Sequence, residues 1–356
     1  MDYSRIITTT AQRLAPYVVD GFHGSSVLAG KVLARPVAWT QGQYHRVPLQ
    51  YAESDTGGAF VGLGDFDTSA VSVDVNQQWQ AKGDYQNVTL VLADIAHNQT
   101  EAGVINLVKR QMDIAKNAGI ARLGSTFYGL GLGNAMDGLR LQADDSTLTS
   151  SYAGLSRTTY GDVINGQLTP AAGGKISLQT MGAQVDLCSA ASSTNEATNL
   201  EITTKTIWGL VETLLEAKSR INFDTSRGYL RVSPYTPMGT AVDAAELGGV
   251  AGFEAIFHRG IPLVKDDQCP SGYFFTLNER YMKFVRLDLP ELNAISMAQQ
   301  VTKGVYDENP KPTAFQMTDF RMPTNQLGKV GQVVLYGNFI NEQTRRTGAI
   351  TGVTGI

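Results

Sequence analysis

Apolar positions along the chain change period several times, and each change predicts an element. Between Val37 and Asp94 they alternate with polar ones in short runs, VSVDV at Val71 to Val75 and NVTLVLADI at Asn87 to Ile95. Gly57, Gly58, Gly62, Gly64 and Gly83 sit at the bends between the runs. Period-two alternation gives a strand one apolar and one polar face, so this segment predicts a long two-stranded excursion with glycine-rich bends. The spacing then shifts to three and four. Val104, Val108, Met112 and Ala115 share one helical face behind Asn98 as N-cap, with Glu101 three residues on. That capping box predicts a helix ending at Gly119. Counted from Gln99 to Ala118, it makes a rod of about 30 Å with Asn106, Lys109, Arg110 and Asp113 on its solvated face.

A second helical period, carried by Ile207, Trp208, Val211, Leu214 and Leu215, predicts a helix from about Thr204 to Arg220. Asn222 to Arg231 then turns into a short strand that Pro234 and Pro237 stop. The region after Gly124 reads as short strands and loops, and the glycine-rich patch from Thr169 to Lys175 as a domain crossover. Between Gly248 and Asp288, Ile261, Leu263 and Val264 form a short strand. Asp266, Asp267 and Cys269-Pro270 interrupt it before an aromatic-rich strand from Tyr273 to Leu277. Gly331 to Ile340 is a further strand, followed after Arg346 by a glycine/threonine tail. Residues 1 to about 35, with scattered threonines and the DGFHGSS cluster, read as an arm that orders by lying on something else.

With 356 residues the chain is long enough for a sizeable core, and a soft prior of roughly 150 residues per domain suggests about two domains. It carries 29 basic and 33 acidic residues for a net charge of -4, which gives no basic footprint of the kind that tracks a phosphate backbone. Charged residues make up 17%, below the roughly 25% usual for soluble domains, which leaves uncharged surface for partners. The N-terminus lacks the apolar stretch of a secretory signal, and the longest apolar run, near Val88 to Ala96, is too short to span a bilayer. Cys188 and Cys269 match no metal spacing and no disulfide framework, so both are expected to be buried thiols in a reducing compartment.

Candidate chemistry is thin. Gly129, Gly131 and Gly133 lack the full nucleotide-binding fingerprint and no Walker lysine follows them. His23, His45, His97 and His258 show no ligand spacing, and no GxSxG elbow occurs. The pairs Asp144/Asp145 and Asp266/Asp267 could hold a weakly bound cation, but adjacent strand residues point to opposite faces, so solvated turns are the expectation. Trp208 belongs to the apolar face of its helix. Trp39 and Trp79 flank the β excursion, where they either dock onto a neighbouring subunit or close the base of the excursion onto their own domain. A β-rich hydrolase or carbohydrate-binding module stays open on the residues alone and would need a pocket with convergent acids.

Four landmarks occur in an order that resembles the tailed-bacteriophage major capsid proteins: a glycine-rich β excursion, a long helix, a GL…DD…YAGLSRTT stretch and GIPLVKDDQCPSGYFFTLN. Gly138, Leu139, Asp144 and Asp145 resemble the family's "GL…DD" loop, while Tyr152, Gly154, Leu155, Ser156 and Arg157 resemble its following turn. Ala153 stands where a second glycine is common, and Val163 where a tryptophan is often seen. Gly260, Ile261, Pro262, Leu263, Val264, Asp266 and Asp267, then Pro270, Gly272, Tyr273, Leu277 and Asn278, resemble the late strand and turn.

The resemblance covers roughly residues 98 to 340 and implies an α+β fold, the shell fold shared with herpesvirus capsids and encapsulins. It implies an N-terminal arm (1–35), an extended β loop (36–97), a peripheral domain built on a spine helix (98–165 and 300–356) and an axial domain (166–299). It also implies a non-enzymatic, cofactor-free shell protein of the virion, assembled in the host cytoplasm from pentamers and hexamers around double-stranded DNA without sequence-specific recognition. The implied partners are a portal, a cement protein and a separate scaffolding protein, since no scaffolding segment fits ahead of residue 36 unless a longer precursor was processed. No membrane contact is implied. Trp39, Tyr44, Phe60, Phe66, Trp79, Arg157, Asp266 and Asp267 are the candidate assembly-interface residues. An encapsulin-like nanocompartment shell is the reading nearest to this one.

Overall fold

Two β-sheets with apolar layers between and beside them frame the computed structural model. It describes residues 26–34, 36–39, 42–53, 72–92, 118–119, 121–189, 196–219, 230–232, 253–289, 316–318, 320–323 and 327–356, with isolated positions at 56, 57, 59 and 62. Of the arm expected over residues 1–35, residues 1–25 lie outside the described residues, as does nearly all of the helix expected from Gln99 to Ala118, whereas Val27–Ala34 form a helix in the chain's own core. Residues 118–119 are helical, as is α2 (residues 121–127), in which Leu123 and Phe127, four apart, are both buried.

The first sheet is organised by β15 (Gly328–Asn341), whose fourteen residues run antiparallel to three other strands. β4 (Lys82–Val91) follows one edge from Gly337 to Gly328. β14 (Gln316–Met317) and then β13 (Met282–Arg286) take the other, and β1 (Val37–Ala38) adds a parallel strand outside β13. Gly337 is needed where these strands crowd, since a Cβ there would lie 2.2 Å from the Val285 carbonyl oxygen.

The second sheet has seven strands in the order β7-β16-β12-β8-β11-β10-β9. These are β7 (Gln167–Pro170), β8 (Leu200–Thr203), β9 (Leu230–Val232), β10 (Phe253–His258), β11 (Ile261–Lys265), β12 (Phe274–Leu277) and β16 (Gly348–Thr351). β10 and β11 form a hairpin whose two central residues, Arg259 and Gly260, have φ of 51° and 82°, the handedness that matches strand twist. Pro262 is tolerated inside this sheet because the register with β8 starts one residue later, at Leu263 and Glu201.

Alternation along the central strands sorts side chains between layers. Phe275 enters the largest core, which it shares with Leu28, Phe127, Phe284 and Phe339, whereas Phe274 enters a second core with Met181, Trp208 and Val211. Every residue of β8 and β12 is buried, as expected of strands covered on both faces. The first core joins the two sheets. A helix, α1 (Val27–Ala34), lies in it and is apolar nearly all round, its exception being the buried Lys31. Among the described residues no helix is long and apolar enough to cross a membrane.

The region after Gly124 departs from the short strands and loops expected there. It contains the two-residue strands β5 (Ser151–Tyr152) and β6 (Leu155–Ser156), but also α3 (Leu139–Gln142) and α4 (Arg157–Ile164). With Thr158, Thr159 and Gly161, α4 has weak intrinsic helicity, and contacts described below hold it in place. A further helix, α5 (Leu178–Cys188), starts at a capping box in which Ser177 accepts from the Thr180 amide at 3.1 Å. The helix expected from about Thr204 is α6 (Lys205–Ser219).

Candidate functional site

The feature that stands out from the two sheets is a ribbon formed by β2 (Tyr44–Gln50) and β3 (Asp74–Gln80). Its register runs from the pair Tyr44/Gln80 to the pair Gln50/Asp74. Seven residues per strand span about 20 Å. Among the described strands, β2 and β3 pair only with each other, so each strand has an outer edge whose main-chain groups lie outside any ladder. Contacts interrupt that edge on β3, where the Gln78 amide donates to the Ala153 carbonyl at 2.8 Å and the Gln80 carbonyl accepts from the Asn338 side chain at 3.2 Å. An exposed edge of this kind is a template for another chain. Alternation gives the ribbon two characters: Val47, Leu49 and Val75 rest on an apolar cluster, while Arg46, Pro48, Asn76 and Gln80 are exposed.

The base of the ribbon is closed by aromatic rings. Trp39 and His45 lie 5.6 Å apart, His45 and Trp79 6.1 Å, and Trp79 meets Tyr152 edge-on at 6.2 Å. Burial lowers the pKa of His45, favouring its neutral form in this stack. Trp79 is 2% exposed, so within one chain it closes the base onto its own domain, and Trp39 packs against the same cluster. Tyr51 adds an edge-on contact with Tyr160 of α4. Tyr44 is half-buried at the start of the ribbon, and Phe60 and Phe66 lie outside the described residues.

Beneath the ring stack, Arg157 organises the segment that carries the seat. Its guanidinium donates to the main-chain carbonyls of Leu141 at 2.6 Å, Asp144 at 2.7 Å and Ile164 at 2.8 Å. Asp144, fully buried, accepts the amides of Leu148 and Thr149 and the Thr149 hydroxyl. Burial pulls the Arg157 pKa down and Asp144 opposes it. Asp145 stays half-exposed and accepts from Thr147.

The second aspartate pair divides the same way. Asp266 is buried and its carboxylate accepts from the Ser26 hydroxyl, the Leu28 amide, the Tyr128 hydroxyl and the Gln268 amide at 2.9 to 3.1 Å. It thereby caps α1. Asp267 points outward and pairs with Lys205 at 2.6 Å. The expectation that both pairs are solvated turns is corrected for Asp144 and Asp266, which are structural acceptors; the opposite orientation of neighbours, also expected, is what separates the members.

Three further buried carboxylates link separate segments and had no sequence signal, because each partner is distant along the chain. Glu279 pairs with Lys31 of α1 at 2.5 Å, both side chains 1% exposed. Glu201 meets His258 at 3.0 Å, and Asp137 meets Lys82 at 2.8 Å and Asn338 at 3.0 Å. Burial raises the pKa of all three, with the paired residue as a partial offset. The Lys82–Asp137 pair lies in a groove of about 490 Å³ beside the ribbon base, rimmed by the exposed Leu132 and Leu148. Cys188 and Cys269 are buried free thiols, and burial raises the Cys188 pKa to about 12, which suppresses the thiolate. Among the described residues no cluster of three or more His, Cys, Asp or Glu could hold a metal ion.

No protein-family model matches the chain, and no curated protein matches its sequence. Solved structures do. The chain is similar to the capsid asymmetric unit of cyanophage A-1(L), with 14% identity over 93% of this chain and 93% of that one and a TM-score of 0.60. It is similar to the capsid of an empty GTA particle, with 10% identity over 90% of this chain and 95% of that one and a TM-score of 0.50. The holo-SrpI encapsulin complex from Synechococcus elongatus aligns at 12% identity over 89% and 85%, with a TM-score of 0.49. A mixed α and β chain that follows a phage capsid subunit over nearly its whole length has the fold of a capsid shell subunit.

Proposed function

We propose that this chain is the major capsid protein of a tailed bacteriophage, assembling as pentamers and hexamers into an icosahedral head around double-stranded DNA. The observation that carries the reading is the ribbon: a two-stranded sheet separate from the two larger ones, whose outer edges join no ladder among the described residues, on a body that has the capsid shell fold. A closed shell needs contacts that close into rings and contacts between rings that tolerate several geometries. A ribbon that can lend main-chain hydrogen bonds to a neighbour supplies the second kind, and weak contacts repeated around each subunit add up by multivalency. In this reading the sheet organised by β15 belongs to the peripheral domain and the seven-stranded sheet to the axial domain near the capsomer centre, with β13 and β16 each lying across the bounds of 166–299 and 300–356 expected from the sequence. A scaffolding protein, a portal and a cement protein complete the particle. DNA meets the inner surface through confinement and counterions, consistent with a net charge of -4. The protein performs no catalysis.

The expressed chain should form shells visible by negative-stain electron microscopy, alone or with its scaffolding partner. Replacing residues 48–76 by an Asn-Gly turn keeps Trp79 and His45 in place and should leave a folded chain that forms no shells. A monodisperse monomer under every assembly condition would overturn the proposal, as would shells of normal yield from the truncated ribbon. Shells isolated from the natural source should protect DNA from nuclease; protein cargo in its place would identify an encapsulin-like compartment.

A further inference from the structure

The seat of the ribbon contains one buried group that the shell reading does not use. Gln77 lies in the middle of β3, opposite Val47, and is 0% exposed. By strand alternation it shares its face with Val75 and Trp79, toward the apolar cluster. Among the described residues neither its Oε1 nor its Nε2 finds a hydrogen-bond partner, and neither atom is open to solvent. Its neighbours on that face include the rings of His45 and Trp79, which also carry nitrogen, but Gln77 is the residue there that leaves both a donor and an acceptor unpaired. An amide left unpaired when buried shifts the docking equilibrium toward the undocked ribbon, on the order of tenfold to a hundredfold relative to an apolar side chain of the same shape.

What opposes that shift is modest. The described contacts of the ribbon with the body beyond its base are one main-chain hydrogen bond from Gln78, the Tyr51–Tyr160 contact and the partly buried Val47, Leu49 and Val75. Below them the base is fixed by Trp79 and Tyr152, and by Gln80, whose carbonyl accepts from Asn338 at 3.2 Å. Among the described residues the base thus has ring and side-chain contacts that the distal ribbon lacks.

We propose that Gln77 is a built-in weak point that keeps the distal ribbon releasable from its own chain, a strap that opens about the aromatic base and frees the Val47, Leu49 and Val75 face. The opening is a property of the single chain, and it rests on the shell reading only for what the freed face then meets.

The test is native-state hydrogen exchange on the unassembled full chain. In Gln77→Met, amides of residues 46–50 and 74–78 should exchange about tenfold more slowly than in the wild type, while those of the base at 45 and 79 and those of β8 and β12 keep their rates. Asn76→Met, on the opposite face, should leave ribbon exchange unchanged. Gln77→Glu, which raises the penalty for burial, should speed ribbon exchange; it also serves if the methionine variant does not fold. Ribbon exchange that is unchanged or faster in Gln77→Met, or unchanged or slower in Gln77→Glu, overturns the proposal. Shell formation is scored separately, so a chain that never assembles counts against the shell reading and leaves the exchange result standing.

Discussion

Lys31 and Glu279 form an ion pair with both side chains 1% exposed, and the two partners are not equivalent when one is removed. A carboxyl whose pKa is already raised by burial can take up a proton when its lysine is lost. Glu279→Gln leaves the buried ammonium facing a neutral amide in place of its countercharge. Glu279→Gln should therefore destabilise the chain by about 3–5 kcal/mol, and Lys31→Met by clearly less. The double variant Lys31→Met, Glu279→Leu should recover most of the loss. Urea denaturation of the three variants decides it, and equal losses from the two single changes would refute the asymmetry. The same buried carboxyls set a pH response. A group whose pKa is higher folded than unfolded binds its proton more tightly in the folded chain. Its stabilisation is complete below the unfolded value and is lost as pH rises through the folded one. For Glu201, held above its ordinary 4.5 by burial and faced by His258, Arg259 and Cys188, the window opens at that value and extends upward. Unfolding free energy compared between wild type and Glu201→Gln should show the wild type losing stability relative to the variant as pH rises through this window. A difference that stays constant with pH, or grows the other way, contradicts it.

At the scale of elements, the excursion was read from runs at 71–75 and 87–95, but only residues 74–75 of the first lie in the ribbon and residues 87–91 of the second belong to β4, paired with β15. By contrast, α6, β11, β12 and β15 were legible because each carries its own period over enough residues to announce itself. The segment from Leu139 to Asn165 was not, and the reason is local. Its helices are short, α4 contains two threonines and a glycine, and what holds them is a guanidinium that ties the carbonyls of residues 141, 144 and 164 to one point. Composition pointed to short strands and loops there and missed both the helices and the clamp. Arg157→Lys should lose the planar fork and leave buried carbonyls unpaired, destabilising the chain by about 3 kcal/mol even though the charge is kept. A denaturation midpoint within error of the wild type would show that the clamp does not hold the segment. The neighbouring Gly166 reports the same crowding, since a Cβ there would come within 2.4 Å of the Ala143 carbonyl carbon.

At the scale of the whole molecule, the two sheets exchange strands across the sequence. β12 and β13 are consecutive but belong to different sheets, as are β15 and β16. The core between the sheets is assembled from α1, α2 (residues 121–127) and strands of both. Each of the long-range carboxylate contacts, Lys31–Glu279, Ser26–Asp266 and Lys82–Asp137, spans a stretch of chain that includes elements of other layers. This interleaving leaves the ribbon as the part that the two sheets do not enclose, and it is why shortening the ribbon should abolish shells while sparing the body.

Periodicity along the chain determined where the strongly periodic elements such as α6, β11, β12 and β15 lie and that α and β elements mix, because these follow from which side chains prefer one face over another within a few residues. The order of capsid-like landmarks was also carried by the sequence. Tertiary structure decided strand order, the burial of Asp144 and Asp266 in turns that composition assigned to solvent, and the unpaired amide of Gln77. Each of these depends on what a distant segment brings to the same place, and no local preference encodes the identity of that partner.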